Sequence, residues 1–284
     1  MKFIKNHIVP GSNNKPMLCD FFYNETNSAK PVIIYVHGFN GFKDWGNLDL
    51  VATEFAMNNY VFVKMNLSHN GTSILHPEEF VDLESYCLNN YTKEINDVKF
   101  VIDYLYGDEF ILKNEIDLNK IIILGHSRGG GISILTAASD NRVKAVLTWA
   151  SVSECKTPWG SWSDERIQKW KENGFEFIEN KRTKQSLPLH FQLYEDFLNH
   201  QEEYNIENAI KTLNIPIQMA HGTQDEAVPF VVFLKFQKWK PQAKFIQVES
   251  NHTFGRVHPN LHNEIPEPCR YVIQKNIQFL NHFF

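Results

Sequence analysis

Residues 120–138 read KIIILGHSRGGGISILTAA: an apolar β-branched run at 120–124, then Gly125-His126-Ser127-Arg128-Gly129, then an amphipathic run at 132–138. A buried strand, a very tight turn and a helix are expected to follow one another here. A serine on such a turn takes a strained backbone, and side chains two positions to either side collide with neighbouring elements, so glycine is needed at both. The turn aims Ser127 Oγ out of the sheet and sets the Arg128 main-chain N–H at a helix start, where it can face a developing oxyanion. Ser127 is the candidate nucleophile.

On either side of this stretch, short strand-like runs alternate with helical ones, the pattern of a mostly parallel sheet covered on both faces. Residues 3–9 and 17–23 flank Pro10, Gly11 and two asparagines, which predicts an antiparallel start. Apolar runs at 31–36, 60–65, 120–124, 143–149, 215–220 and 244–248 predict buried strands. Helices are expected at 48–58, 91–106, 132–138, 230–239 and 269–282. The segment 151–211 shows no convincing strand and reads as a small helical cap inserted into a single domain spanning 1–284.

Three further motifs fall directly after predicted strands. His37-Gly38-Phe39-Asn40-Gly41 offers the Phe39 main-chain N–H as a second oxyanion donor, with His37 a structural hydrogen-bonding residue. His221-Gly222-Thr223-Gln224-Asp225 and Asn251-His252-Thr253-Phe254 lie where open α/β sheets build their sites. His252 is the expected general base and Asp225 the acid that orients it, preferred over Glu226 because it follows its strand more closely. His258 and His262 are spaced four apart, but Pro259 lies between them and no HExxH glutamate accompanies them, so no metal site is expected.

HGFNG, GHSRGG, HGTQDEAVP and NHTF, in this order, resemble the α/β-hydrolase superfamily, and the chain is most similar to its compact dienelactone-hydrolase-like and prolyl-oligopeptidase-like esterases, the feruloyl (cinnamoyl) type included. The resemblance implies the α/β-hydrolase fold, with an eight-stranded sheet in which only the second strand is antiparallel. It also implies a Ser127, Asp225, His252 triad with Phe39 and Arg128 as oxyanion donors. Two departures narrow it. Dienelactone hydrolases proper have cysteine where this chain has Ser127, and the oligopeptidases carry a large domain for which there is no room. Residues 66–73, NLSHNGTS, replace an RGHG-type loop of many relatives.

Composition restricts the remaining possibilities. With 43% hydrophobic and 21% charged residues and a net charge of −5, the chain is an ordinary globular protein without a basic stripe for nucleic acid. No signal-peptide pattern and no membrane-length apolar run occurs, which predicts a cytoplasmic protein, and the scattered cysteines suggest neither disulfides nor a thiolate metal site. No cofactor is expected; the partner expected is a small ester. Aromatic residues of the cap, Trp159 foremost, are candidates to line an acyl or alcohol pocket. Two rival functions stand beside the esterase: a serine aminopeptidase or dipeptidase using Glu154, Asp164 or Glu165 to hold an ammonium, and a non-catalytic binding protein of the same fold.

Overall fold

The computed structural model describes every residue except Asn27 and Leu261. In chain order it runs β1 (Lys2–Pro10), β2 (Pro16–Tyr23), β3 (Lys30–Val36), α1 (Leu48–Met57), β4 (Val61–Met65), α2 (Leu83–Cys87), α3 (Tyr91–Tyr106), β5 (Ile116–His126), α4 (Arg128–Ser139) and β6 (Val143–Trp149). Then come α5 (Asp164–Asn173), β7 (Phe175–Glu179), β8 (Ser186–His190), α6 (Gln192–Asn199), α7 (Ile206–Thr212), β9 (Ile217–Gly222), α8 (Val231–Trp239), β10 (Lys244–Val248) and α9 (Glu267–Leu280). Eight strands form one sheet in the order β1-β2-β4-β3-β5-β6-β9-β10. Strand β2 runs antiparallel to both its neighbours, and every other pairing is parallel. This is the α/β-hydrolase fold that the resemblance implied.

The central strands are buried on both faces, so their apolar residues divide by alternation. Val32, Ile34, Val36, Ile121 and Ile123 face a core shared with α3 and α4, whereas Ile33, Tyr35, Ile122 and Leu124 face α1 and α9. No helix among the described residues is long and apolar enough to cross a membrane.

Two expectations are corrected. Helix α4 begins at Arg128 rather than Ile132, because Gly129, Gly130 and Gly131 are helical and buried. Glycine disfavours helix in isolation, and here tertiary packing overrides that preference. The segment 151–211 is not wholly helical: β7 and β8 pair as an antiparallel hairpin, Phe177 opposite Pro188. Proline is tolerated because a two-stranded ribbon consists only of edge strands.

One buried feature runs against composition. Lys43 and Lys64 are almost fully buried, and their ammonium groups meet around Asp20, at 2.8 and 3.1 Å. Lys43 also pairs with Asp44, and Lys64 with Asp44 and Asp49. Burial pulls the Lys64 ammonium down, but Asp44, Asp20 and Asp49 outweigh it and hold it above the ordinary lysine range. Asp20 also accepts the Asn6 main-chain N–H at 2.7 Å, so it ties β1, β2, β4 and the loop after β3 together. Asp20→Ala leaves two ammonium groups short of a buried partner and should cost about 3–5 kcal/mol of unfolding free energy. Urea unfolding measures it, and a loss below about 1 kcal/mol would mean that the cluster behaves as a solvated surface network.

Candidate active site

Ser127 stands between β5 and α4 with φ 57° and ψ −121°, a conformation that few side-chain-bearing residues adopt. The reason is the closeness of α4 to the sheet. A Cβ on Gly125 would lie 2.1 Å from the Gly129 carbonyl oxygen, and one on Gly129 would lie 2.3 Å from that of Val36. The strained turn is secured by the Ser127 N–H, which donates to the Trp149 carbonyl at 2.8 Å, and by the Ser127 carbonyl, which accepts from Gly130 at 2.9 Å.

Asp225 and His252 arrive from the carboxyl ends of β9 and β10. His252 Nδ1 bonds Asp225 Oδ2 at 2.7 Å, and Asp225 Oδ1 accepts the Ala227 and Val228 N–H groups at 2.9 and 2.8 Å. A carboxylate accepting there requires the Nδ1–H tautomer and leaves His252 Nε2 available to take a proton. Asp225 is buried and the neighbouring Glu226 exposed. Ser127 and His252 share one cavity of about 140 Å³, walled by Phe39, Asn40, Trp45 and Thr253. A roomier hollow of about 730 Å³ lies along β10 and α9 and includes none of the three residues.

Neither the Phe39 nor the Arg128 main-chain N–H has a hydrogen-bond partner among the described residues. The Arg128 side chain does something that sequence did not disclose. Its buried guanidinium donates to Glu94 Oε2 and to the Thr157 carbonyl, both at 2.8 Å, and stacks 3.9 Å from the Tyr91 ring centre. It thereby joins the turn at Ser127 to α3 and to the start of the segment between β6 and α5.

Trp159 is 3% exposed and packs among Tyr91, Trp170, Tyr194 and Phe197, outside the cavity that holds Ser127. Trp45 and Asn40, which do line it, belong to the loop after β3. That loop was legible as HGFNG, but nothing in its pattern told which of its residues would line the cavity. His258 is engaged in structure, accepting the Gly46 N–H at 3.0 Å between the Phe42 and Trp45 rings.

A family model described as BD-FAE matches residues 19–239. The chain belongs to the BD-FAE family. Among solved structures this BD-FAE chain is similar to Est1E from Butyrivibrio proteoclasticus, with a TM-score of 0.67 at 16% identity over 98% of each chain. Ferulic acid is bound in one of the Est1E structures. The esterase domain of a Rhodothermus marinus protein gives a TM-score of 0.65 at 12% identity over 99% of each chain. Identities this low speak to the fold alone. The quorum-quenching protein AidA of Acinetobacter baumannii (strain MDR-ZJ06) is 30% identical over 123 residues, 43% of the BD-FAE chain and 36% of that relative.

Three further histidines crowd the site, and burial pushes each of them toward the neutral form. His37 is pushed down to about 4, His126 well below the ordinary histidine range, and His221 lowered as well. The His126 ring lies 4.7 Å from that of His252 and bonds the His252 carbonyl at 3.0 Å, so it braces the histidine loop. The kcat/KM profile between about pH 5 and 8 should therefore rise through one ionisation with a limiting slope of about one. A slope near two would bring one of the buried rings into the titration.

Proposed function

We propose that the chain is a serine carboxylesterase, cleaving small or aromatic carboxyl esters through an acyl-enzyme on Ser127. The observation that carries this is the Asp225–His252 hydrogen bond at the rim of the cavity into which Ser127 opens. Ser127 Oγ attacks the ester carbonyl while His252 Nε2 takes the hydroxyl proton, and the carbonyl π pair moves onto oxygen. When the tetrahedral adduct collapses, the acyl–alkoxy bond breaks and His252 returns the proton to the leaving alkoxide. Water repeats both steps, forming the acid and restoring Ser127. Phe39 and Arg128 supply main-chain N–H groups for the oxyanion.

The cavity supports the substrate class. The cavity, about 140 Å³ and partly open to solvent, has Phe39 and Trp45 in its wall, and aromatic walls of this kind suit a planar or short acyl group. Ferulic acid, the ligand held by Est1E, is an aromatic acid of this kind. Esters are favoured over amides because an alkoxide leaves more readily, whereas an amine leaving group demands closely timed protonation by His252.

A fluorophosphonate probe should label the wild-type chain, and Ser127→Ala should abolish both labelling and ester turnover, the latter by about 10³-fold or more. EDTA should change neither. Steady-state kinetics on acetyl, butyryl, cinnamoyl and palmitoyl esters beside an aminoacyl anilide then test the substrate class. A kcat/KM for the palmitoyl ester or the anilide about tenfold above every short or aromatic ester would overturn it.

A further inference from the structure

Asn40, in the wall of the cavity that holds Ser127, has a left-handed backbone with φ 56° and a side chain gripped from behind. The Tyr86 hydroxyl donates to Asn40 Oδ1 at 2.5 Å. Tyr86 is 3% exposed, its ring 6.3 Å from that of Phe39 and 5.9 Å from that of Phe80. Behind it lies Gly71, at φ 91°, where an added Cβ would come 3.0 Å from Tyr86 Cβ. Burial pushes the Tyr86 hydroxyl far up, so it keeps its proton and remains a donor. With Oδ1 engaged, what the amide has left to offer is Nδ2–H, which has no partner among the described residues.

We propose that Asn40 is a catalytic residue whose Nδ2–H, aimed by the Tyr86 hydroxyl, donates to the substrate oxygen that gains charge when Ser127 attacks. Asn40 thus adds a side-chain donor beside the Phe39 and Arg128 N–H groups, and Tyr86 is its positioning residue. The assignment rests on Ser127 being the nucleophile. A donor that strengthens only as charge develops acts on kcat rather than on KM.

Three variants test it on p-nitrophenyl butyrate. Asn40→Gly removes the amide without straining a left-handed position, Asn40→Asp keeps the shape but cannot donate, and Tyr86→Phe removes one hydroxyl. Asn40→Gly and Asn40→Asp should each lower kcat by about tenfold or more with KM within about twofold, and Tyr86→Phe by about threefold. Because Tyr86 acts only through Asn40, the double variant Asn40→Gly/Tyr86→Phe should be no slower than Asn40→Gly alone. Wild-type kcat in both Asn40 variants, or effects that multiply in the double variant, would overturn the proposal while Ser127 labelling stands. Lower melting temperatures with unchanged kcat would do the same. A wild-type chain that the fluorophosphonate leaves unlabelled would remove the nucleophile and this proposal together.

Discussion

Helix α4 approaches the carboxyl ends of β3 and β5 so closely that no side-chain carbon fits at Gly125 or Gly129, and the rest of the site depends on that closeness. A looser packing would let Ser127 relax to an ordinary backbone conformation and turn its hydroxyl away from the loops at the sheet's edge. The strain is held by what surrounds it: the Trp149 carbonyl receives the Ser127 N–H, and the next strand supplies that carbonyl in fixed register. A rigid parallel sheet is what allows one residue to sit in so uncommon a conformation.

Much of this was legible in the sequence, because β-branched apolar runs bounded by glycine, asparagine or proline state their own limits. All eight strands of the sheet were anticipated, most to within a residue or two. Asp225 and His252 could be paired before any coordinates, since residues directly after parallel strands converge on one edge. The hairpin β7–β8 was hidden because Phe175 and Phe177 alternate on an exposed ribbon whose return strand contains proline. Lys43 and Lys64 were hidden for another reason: nothing local marks a lysine whose carboxylate partners come from β2 and from the loop and helix after β3. Trp159 looked like a pocket residue, yet apolar bulk alone does not distinguish a ligand wall from a core.

Arg128 links two parts of the molecule that sequence treats separately. Its main chain belongs to the strained turn, while its side chain reaches the Thr157 carbonyl and, through Tyr91, the ring cluster around Trp159. The aromatic bulk of the 151–211 segment therefore anchors that segment to α3 and to the turn, and the cavity that holds Ser127 is walled instead by the loop after β3 together with His126, His252 and Thr253.

At the far side of the sheet, β1 is an outer strand, and its register against β2 slips between Ile4 and His7, where Asn6 takes φ 55°. The Asn6 N–H is turned inward onto Asp20 instead of standing in the open ladder. Lys2 and Lys5 sit on the same strand, and Pro10 ends it without a donor to offer. An incoming strand from another molecule would meet a kink and a missing hydrogen bond, features that discourage edge-to-edge stacking. The carboxylate that steadies two buried lysines thus also helps keep concentrated chains from joining sheet to sheet.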